Sequence, residues 1–521
     1  MARSRLTGPM WRFGPVPPRP PATPVDDRVA VHPWRPARVP GHVQADLADH
    51  GLLPDVNQRD HVALYDQANA HDWWYERPVR LALKPGERAF VRFLGIDYLA
   101  DIWWDGLHLA RHEGQFVDLW AEITDTVPRD GRPREHTLGV RLWGAHAWPQ
   151  PQWPLLDRLW RPLAERLIAT PLRPYHHRLG LVRSQVSFGW DFAPPCLAPG
   201  IWDDVWLLVT GDVLIRDAWV HGDPRQPRLQ LELDATRPQQ VGVEVVWWER
   251  DGREQGHLHT AAEVRPGVRT VEVILPVERP RLWWPWEHGQ PHLYSLRVRV
   301  LEAGHVSDEL EITFGLRQIA WDGVHLLVNG TRTFIRGVNW VPASLLPGRL
   351  TEADYAPLLR RARELGVNTV RVWGGGLREK RAFYELCDRL GILVWQEFPF
   401  ACGVCRPVSS RSRVPGARRA DGCLHSESPA RPPLIGHLVR RQRIQPPPQS
   451  ATGGAPGPRR GRTRRHTSLS SSFPRPRRDP QLVRVARDGA SSRLFGRTHP
   501  SGQRVRPPSS AGHRNAHRRG G

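Results

Sequence analysis

From about Val29 to Leu316 the chain alternates apolar and polar residues with period two. Runs such as Arg88-Ala-Phe-Val-Arg-Phe-Leu-Gly95 and Ala100-Asp-Ile-Trp-Trp104 would put successive side chains on opposite faces of a strand. Asp105-Gly106, Arg129-Asp-Gly131 and Pro-rich stretches cut these runs into short lengths, as turns do. Between Val29 and Thr210 only Trp153–Ile168 carries a helical period, so a β-sandwich is expected over residues 29–212. Residues 1–28, rich in Pro and Arg, read as a disordered lead-in. A second alternating series follows in Leu229–Leu233, Val241–Val246, Thr270–Leu275 and Leu296–Leu301. Its spacing and its size of about 100 residues fit an immunoglobulin-like sandwich over 213–318.

The periodicity then changes. Phe334–Trp340 reads as a strand, and Thr351-Glu-Ala-Asp354 resembles a capping box that opens a helix to Leu365, with Gly366 closing it. Asn368–Trp373 is the next strand, Glu379–Leu390 the next helix, closed by Gly391, and Ile392–Gln396 a third strand. Strands alternating with helices through short loops imply parallel βαβ units. The expected fold is therefore multidomain, β plus α/β: two β-sandwiches and then, over 319–402, the start of a barrel.

Composition divides the chain at the same place. The formal net charge is +21, but residues 403–521 hold 26 Arg, no Lys and 4 acids, a net of +22, which leaves −1 for residues 1–402. All 24 Trp and all 7 Tyr also precede residue 403. An Arg/Pro/Ser-rich tail with two Phe cannot bury enough apolar surface to offset its chain entropy, so 403–521 are expected to be disordered. Arg clusters bind phosphates without sequence preference, but no specific nucleic-acid partner is expected from this tail. The five Cys show no framework spacing; Cys402-Gly-Val-Cys405 lacks a second pair or His partner, so no metal or cofactor is expected. Met1–Pro24 holds no apolar core of a signal peptide and no stretch is long enough to span a membrane; a cytoplasmic protein with no membrane partner is expected.

The ordered motifs resemble glycoside hydrolase family 2, in its β-mannosidase branch, over roughly residues 30–402. The first sandwich contributes Val39-Pro-Gly-His42, His71-Asp-Trp-Trp-Tyr75, Leu94-Gly-Ile-Asp97 and Phe188-Gly-Trp-Asp-Phe192 followed by Gly200-Ile-Trp202. The second contributes Leu282-Trp-Trp-Pro285, Pro291-His-Leu-Tyr294 and Phe314-Gly-Leu-Arg317. The barrel contributes Arg336-Gly-Val-Asn-Trp-Val-Pro342, Asn368-Thr-Val-Arg-Val-Trp-Gly-Gly-Gly376, Phe383-Tyr-Glu-Leu-Cys-Asp388 and Val394-Trp-Gln-Glu-Phe398. The resemblance implies a jelly-roll-like, galactose-binding-like first sandwich, a (β/α)8 TIM barrel of which this chain carries about three strands, and metal-free, retaining hydrolysis of terminal β-D-mannose from an oligosaccharide or glycoconjugate.

Barrel enzymes place their chemistry at the C-terminal strand ends. Asn339, Trp340, Trp373, Gln396 and Glu397 fall there, where an aromatic face can stack on a sugar and a polar group can bind its hydroxyls. For Trp340, burial in the core is an equal alternative. By resemblance Trp373 walls the terminal-sugar subsite, and Trp190 and Asp191 reach into it from the first sandwich, Asp191 accepting a hydroxyl. The family usually shows Trp-Asp-Trp there; Phe192 replaces the last Trp and drops an indole donor. Glu397 is read as a structural or hydroxyl-binding acid, because the family carries its acid/base and nucleophile on later strands.

No catalytic residue is expected in the chain as written: an Asn-Glu pair carrying the acid/base does not occur after residue 402. Read one base out of frame, the possible codons of Arg431–Gln445 permit His-Pro-Ser-Leu-Val-Ile-Trp-Cys-Gly-Gly-Asn-Glu-Phe, the family's motif in its expected place. A frameshift near residues 403–408 and an inactive product are thus expected. The competing readings are a non-catalytic carbohydrate-binding protein and a related exo-β-glucosaminidase or endo-β-mannosidase.

Overall fold

The computed structural model describes residues 2–21, 24–58, 61–148, 181–399 and 401. The first sandwich uses ten strands: β1 (Ala2–Arg5), β2 (Gly8–Val16), β3 (Arg35–Val39), β4 (Asp72–Leu81), β5 (Arg88–Phe93), β6 (Leu99–Trp104), β7 (Leu107–Glu113), β8 (Leu119–Glu122), β9 (Arg134–Leu142) and β10 (Val205–Thr210). A four-stranded sheet, β1-β10-β5-β8, faces a six-stranded sheet, β3-β2-β4-β9-β6-β7. Phe13, Tyr75, Val91, Phe93, Ile102, Trp104, Val140 and Val205 fill the space between them. Strand β5 is apolar on its other face too, where Phe90 meets Leu208 and Leu214 at the start of the next domain.

The lead-in expected over residues 1–28 is a correction: it contains two strands, β1 and β2. Arg5 pairs with Trp206 across β1-β10, and β2 lies between β3 and β4 with Trp11 and Phe13 buried. Its prolines disguised it. Pro9 falls where the β2-β3 register slips between Gly8 and Trp11, and Pro15 lies beyond the last β2-β3 pair, Phe13-Arg35. Neither is therefore asked for a ladder bond toward β3. A short helix, Val43–Asp49, also went unforeseen. The helix expected at Trp153–Ile168 and the tail from 403 onward lie outside the described residues.

The second sandwich pairs β11 (Val213–His221), β12 (Arg228–Ala235) and β15 (Gly267–Ile274) against β14 (Glu254–Val264), β13 (Gln239–Glu249), β16 (Tyr294–Glu302) and β17 (His305–Phe314). Alternation turns Leu229, Leu231, Leu233, Val243, Val245, Leu296, Val298 and Val300 inward. It is immunoglobulin-like, as the period of two predicts.

Residues 319–333 do not open the barrel but form a small antiparallel sheet, β18 (Ile319–Asp322), β19 (His325–Val328) and β20 (Thr331–Thr333). The barrel segment follows as three parallel strands, β21 (Gly337–Trp340), β22 (Thr369–Val372) and β23 (Leu393–Gln396). Helices Glu352–Glu364 and Arg381–Leu390 cover one face, burying Tyr355, Leu359, Phe383 and Leu386 against Val370, Val372 and Val394. Thr351 and Asp354 close the capping box, and Gly391 ends the second helix at φ +69°, a conformation that favours glycine.

The barrel segment is fastened to both sandwiches. Trp283 gives its indole N–H to the Asp388 carbonyl at 2.9 Å, and Asn368 donates to Glu287 at 2.7 Å. On the other side Arg349 reaches Asp46 at 2.6 Å and Arg378 reaches Asp203 at 3.1 Å. These joints fix the position of the strand ends relative to the loops of the first sandwich.

Candidate active site

The sheet register places Asn339, Arg371 and Trp395 in one row across β21, β22 and β23. These side chains project from the face opposite the helices. Arg371 donates to Asn339 Oδ1 at 2.9 Å and to Glu397 Oε1 at 2.8 and 2.5 Å. The other Glu397 oxygen accepts the Gly374 N–H at 2.8 Å. Both carboxylate oxygens are thus engaged, as a charge-assisted hydrogen-bonded network requires. Arg371 and Glu397 are about one-third exposed, so the pair organises the strand ends more than it stabilises the fold.

Beside this row stands a corner of aromatic rings. Trp190 meets Trp373 edge-on at 4.8 Å between centroids, and Phe192 meets the same ring at 5.8 Å. Edge-to-face contact at these distances is the favoured arrangement for aromatic pairs. The loop carrying Trp190 turns tightly, with Trp190 N–H on the Ala193 carbonyl at 2.8 Å. Val186 N–H on the Gly375 carbonyl, also 2.8 Å, ties that loop to the barrel. Trp373 lies back over Gly375: a Cβ there would fall 2.2 Å from the indole. Asp191 is exposed and makes no hydrogen bond to another described residue.

Two of the sequence candidates point elsewhere. Trp340 is 8% exposed, packs at a tilt on Phe383 at 4.8 Å between centroids and donates to the buried Glu379 at 3.0 Å. Gln396 accepts from the Tyr384 hydroxyl at 2.6 Å, on the helix-facing side. Register explains both: Trp340, Val372 and Gln396 share the row that faces the helices. Arg371 was quoted within a motif but not singled out, although the same register puts it between Asn339 and Glu397.

Beside Phe192, the first sandwich and the loop after β21 line a half-open cleft of about 300 Å³. Its floor holds a buried ion pair, Arg183 on Asp97 at 2.7 and 2.8 Å, with Gln115 donating to Asp97 at 3.2 Å. Burial pushes the Asp97 carboxyl above its usual range, and Arg183 holds it partly down. His42 spans the seam. Its Nδ1 lies 2.7 Å from the Ala198 carbonyl and its Nε2 accepts the Gly348 N–H at 2.8 Å. That pattern fixes a neutral ring with the proton on Nδ1, and burial, above all, lowers its pKa to about 3. Neither Arg183 nor His42 was a sequence candidate; their partners are up to 306 residues away in the chain, and no local pattern announces them. Among the described residues no group of three or more His, Cys, Asp or Glu is placed to hold a metal ion. No helix among them is long and apolar enough to cross a membrane.

Comparison with known proteins bears on this arrangement. Residues 22–203 match the family description "Glycosyl hydrolase 2 galactose-binding domain-like", and residues 213–317 match "Glycosyl hydrolases family 2". The chain is 27% identical to the β-mannosidase B of Thermothelomyces thermophilus over 389 residues, covering 70% of this chain and 43% of that protein. It is 28% identical to the mannosylglycoprotein endo-β-mannosidase of Lilium longiflorum over 408 residues, 70% of this chain and 39% of that one. The solved β-D-mannosidase of Dictyoglomus thermophilum superposes with a TM-score of 0.62 at 28% identity, over 77% of this chain and 47% of that one. The chain thus spans less than half the length of these relatives. Two family-2 domains in their order, joined to three parallel barrel strands and shared with β-mannosidases, place the chain in glycoside hydrolase family 2, in its β-mannosidase branch.

Proposed function

We propose that the chain is a β-mannosidase-like glycoside hydrolase by descent, recognising terminal, non-reducing β-D-mannosyl residues of an oligosaccharide or glycoconjugate. The observation that carries this is the corner formed by Trp190, Phe192 and Trp373, with the exposed Asp191 next to Trp190 in the same loop. A ring face at a strand end and an exposed carboxylate on the adjoining loop suit a neutral sugar, one surface stacking and one hydroxyl bonding. Relatives named β-mannosidase support mannose as that sugar. Asn339 and Glu397 line the same end, held in place by Arg371, while Trp340 and Gln396 support the strands from behind. No cofactor enters this reading.

Retaining hydrolysis needs two carboxyl groups about 5–5.5 Å apart, one as acid/base and one as nucleophile. Glu397 is occupied on both oxygens, which favours recognition without turnover for the chain as it stands. Purified protein incubated with an aryl β-mannoside should release no phenol, while calorimetry with methyl β-mannoside should show heat of binding. Phenol release that tracks the protein peak would overturn the first part; absence of binding would overturn the second. An exo-β-glucosaminidase or endo-β-mannosidase specificity would show as preference for the corresponding glycoside in the same titration.

A further inference from the structure

Arg183 is 1% exposed and lines the cleft beside Phe192. Its Nε and Nη2 are spent on Asp97, at 2.8 and 2.7 Å. Its Nη1 is buried and meets no hydrogen-bond acceptor. A guanidinium is a planar fork, so the N–H groups of Nη1 do not face the acid that holds the other edge. A buried charged donor without an acceptor is costly, and folded proteins seldom leave one. Asp97 cannot supply the missing acceptor, because its two oxygens already take Arg183 and Gln115.

The rest of the wall is rich in donors and poor in acid. Asp97 is the only acid among the described residues that line it. Ser184, Ser187 and Ser344 bring hydroxyls, and Ser344 Oγ accepts the Leu346 N–H at 3.0 Å, which keeps its proton to give. The field has the matching sign: Arg183, Lys380 and Arg349 all act on the neutral His42 ring as positive charges. Apolar carbon from Phe192, Pro194 and Pro342 fills other parts of the wall and strengthens a charged hydrogen bond made beside it. A sugar hydroxyl would meet Nη1 without charge, and a phosphate dianion would set two charges against Asp97. A carboxylate brings one charge and accepts from Arg183 and the serines together.

We propose that this cleft is a carboxylate site in which Arg183 bridges the bound carboxylate and Asp97. Phe192 lines the cleft and also packs on Trp373, so the site adjoins the sugar seat. The carboxylate can belong to a free organic acid or to the aglycone of a β-mannoside whose mannose is terminal. The second source rests on the terminal-sugar reading above; the first does not. Ala343, exposed in the loop after β21, also lines the cleft. Ala343→Trp would narrow it and leave Arg183, Trp190, Asp191 and Trp373 unaltered.

The test is calorimetry on the full chain with two pairs of probes: sodium acetate against sodium chloride at equal ionic strength, and para-carboxyphenyl β-mannoside against phenyl β-mannoside. Acetate should give saturable heat that chloride does not, and the acidic glycoside should bind about tenfold tighter than the neutral one. Arg183→Lys, which keeps a charge for Asp97 and removes the fork, should abolish both gains. Ala343→Trp should abolish them with the ion pair intact, and it decides the matter if Arg183→Lys does not fold. A gain for acetate alone assigns the site to a free acid, and a gain for the glycoside alone assigns it to the aglycone. No gain in either pair overturns the site and leaves the terminal-sugar reading standing. Gains that survive Ala343→Trp overturn its location. Acetate binding with no glycoside binding overturns the terminal-sugar reading alone.

Discussion

Replacing Arg183 by Met removes one member of the ion pair under the sugar-facing loop and leaves the other buried. Arg183 is 1% exposed and Asp97 is fully buried, with three N–O contacts of 2.8, 3.1 and 2.7 Å between them. Removing one partner of a buried pair costs about 3–5 kcal/mol, because the survivor is left as an uncompensated charge. Gln115 still donates to Asp97, which keeps the expected loss in the lower half of that range, about 3–4 kcal/mol. The loss depends on pH. The folded-state pKa of Asp97 is already raised by burial, and removing Arg183 raises it further. An acid raised in the folded state contributes stability that is complete below its unfolded pKa and is lost as pH rises through the folded one. Arg183→Met should therefore be more damaging at pH 8 than at pH 5. Asp97→Asn added to Arg183→Met should recover part of the loss at pH 8. Urea unfolding followed by tryptophan fluorescence reads this, since the Trp148 ring lies 5.3 Å from the Arg183 guanidinium. A cost below about 1 kcal/mol, or one equal at both pH values, would refute the buried-pair account.

Two further outcomes follow from other parts of the fold. Glu379 is buried between Trp340 and Tyr355, and burial raises its pKa to about 7. Its contribution to stability should be complete below about pH 4.5 and fall away as pH rises through about 7, at no more than about 1.4 kcal/mol per pH unit. Glu379→Gln keeps the carbonyl acceptor for the Trp340 indole, with the Tyr355 hydroxyl turning to accept from the amide N–H, and should flatten that dependence in thermal melts from pH 5 to 8; an unchanged slope would assign it to another group. Gly375→Ala should cost the barrel segment about 1–3 kcal/mol through overpacking, because the new methyl meets the Trp373 ring. It should also weaken methyl β-mannoside binding by displacing that ring, and a variant with unaltered melting and affinity would show that the ring is not held there.

The alternating runs were the most legible part of the chain. Leu229–Leu233 and Leu296–Leu301 became inward-facing rows because a period of two leaves a strand few other ways to bury its apolar face. The helix opened by Thr351 and the strands at Thr369 and Leu393 were equally plain, each bounded by local caps or glycines. What failed to show did so for local reasons. Strand β2 hid behind prolines that sit at a bulge and beyond a pairing edge. The sheet at Ile319–Thr333 is made of strands three or four residues long, too short to establish a period. At the site, Trp190 and Phe192 both lie edge-on to Trp373. Trp340 and Gln396 could be separated from Asn339 only by the register of the parallel strands. Arg183 and His42 act through partners far away in the chain, which no single segment encodes.

The most direct measurement is a calorimetric comparison of methyl β-mannoside with methyl β-glucoside on the unaltered chain and on Asp191→Ala and Trp373→Ala. The account predicts binding with preference for the mannoside in the unaltered protein. Each substitution should weaken it by about tenfold or more, about 1.4 kcal/mol, without lowering the melting temperature of the first sandwich. Binding that is indifferent to both substitutions, or no binding by the unaltered protein, would contradict it.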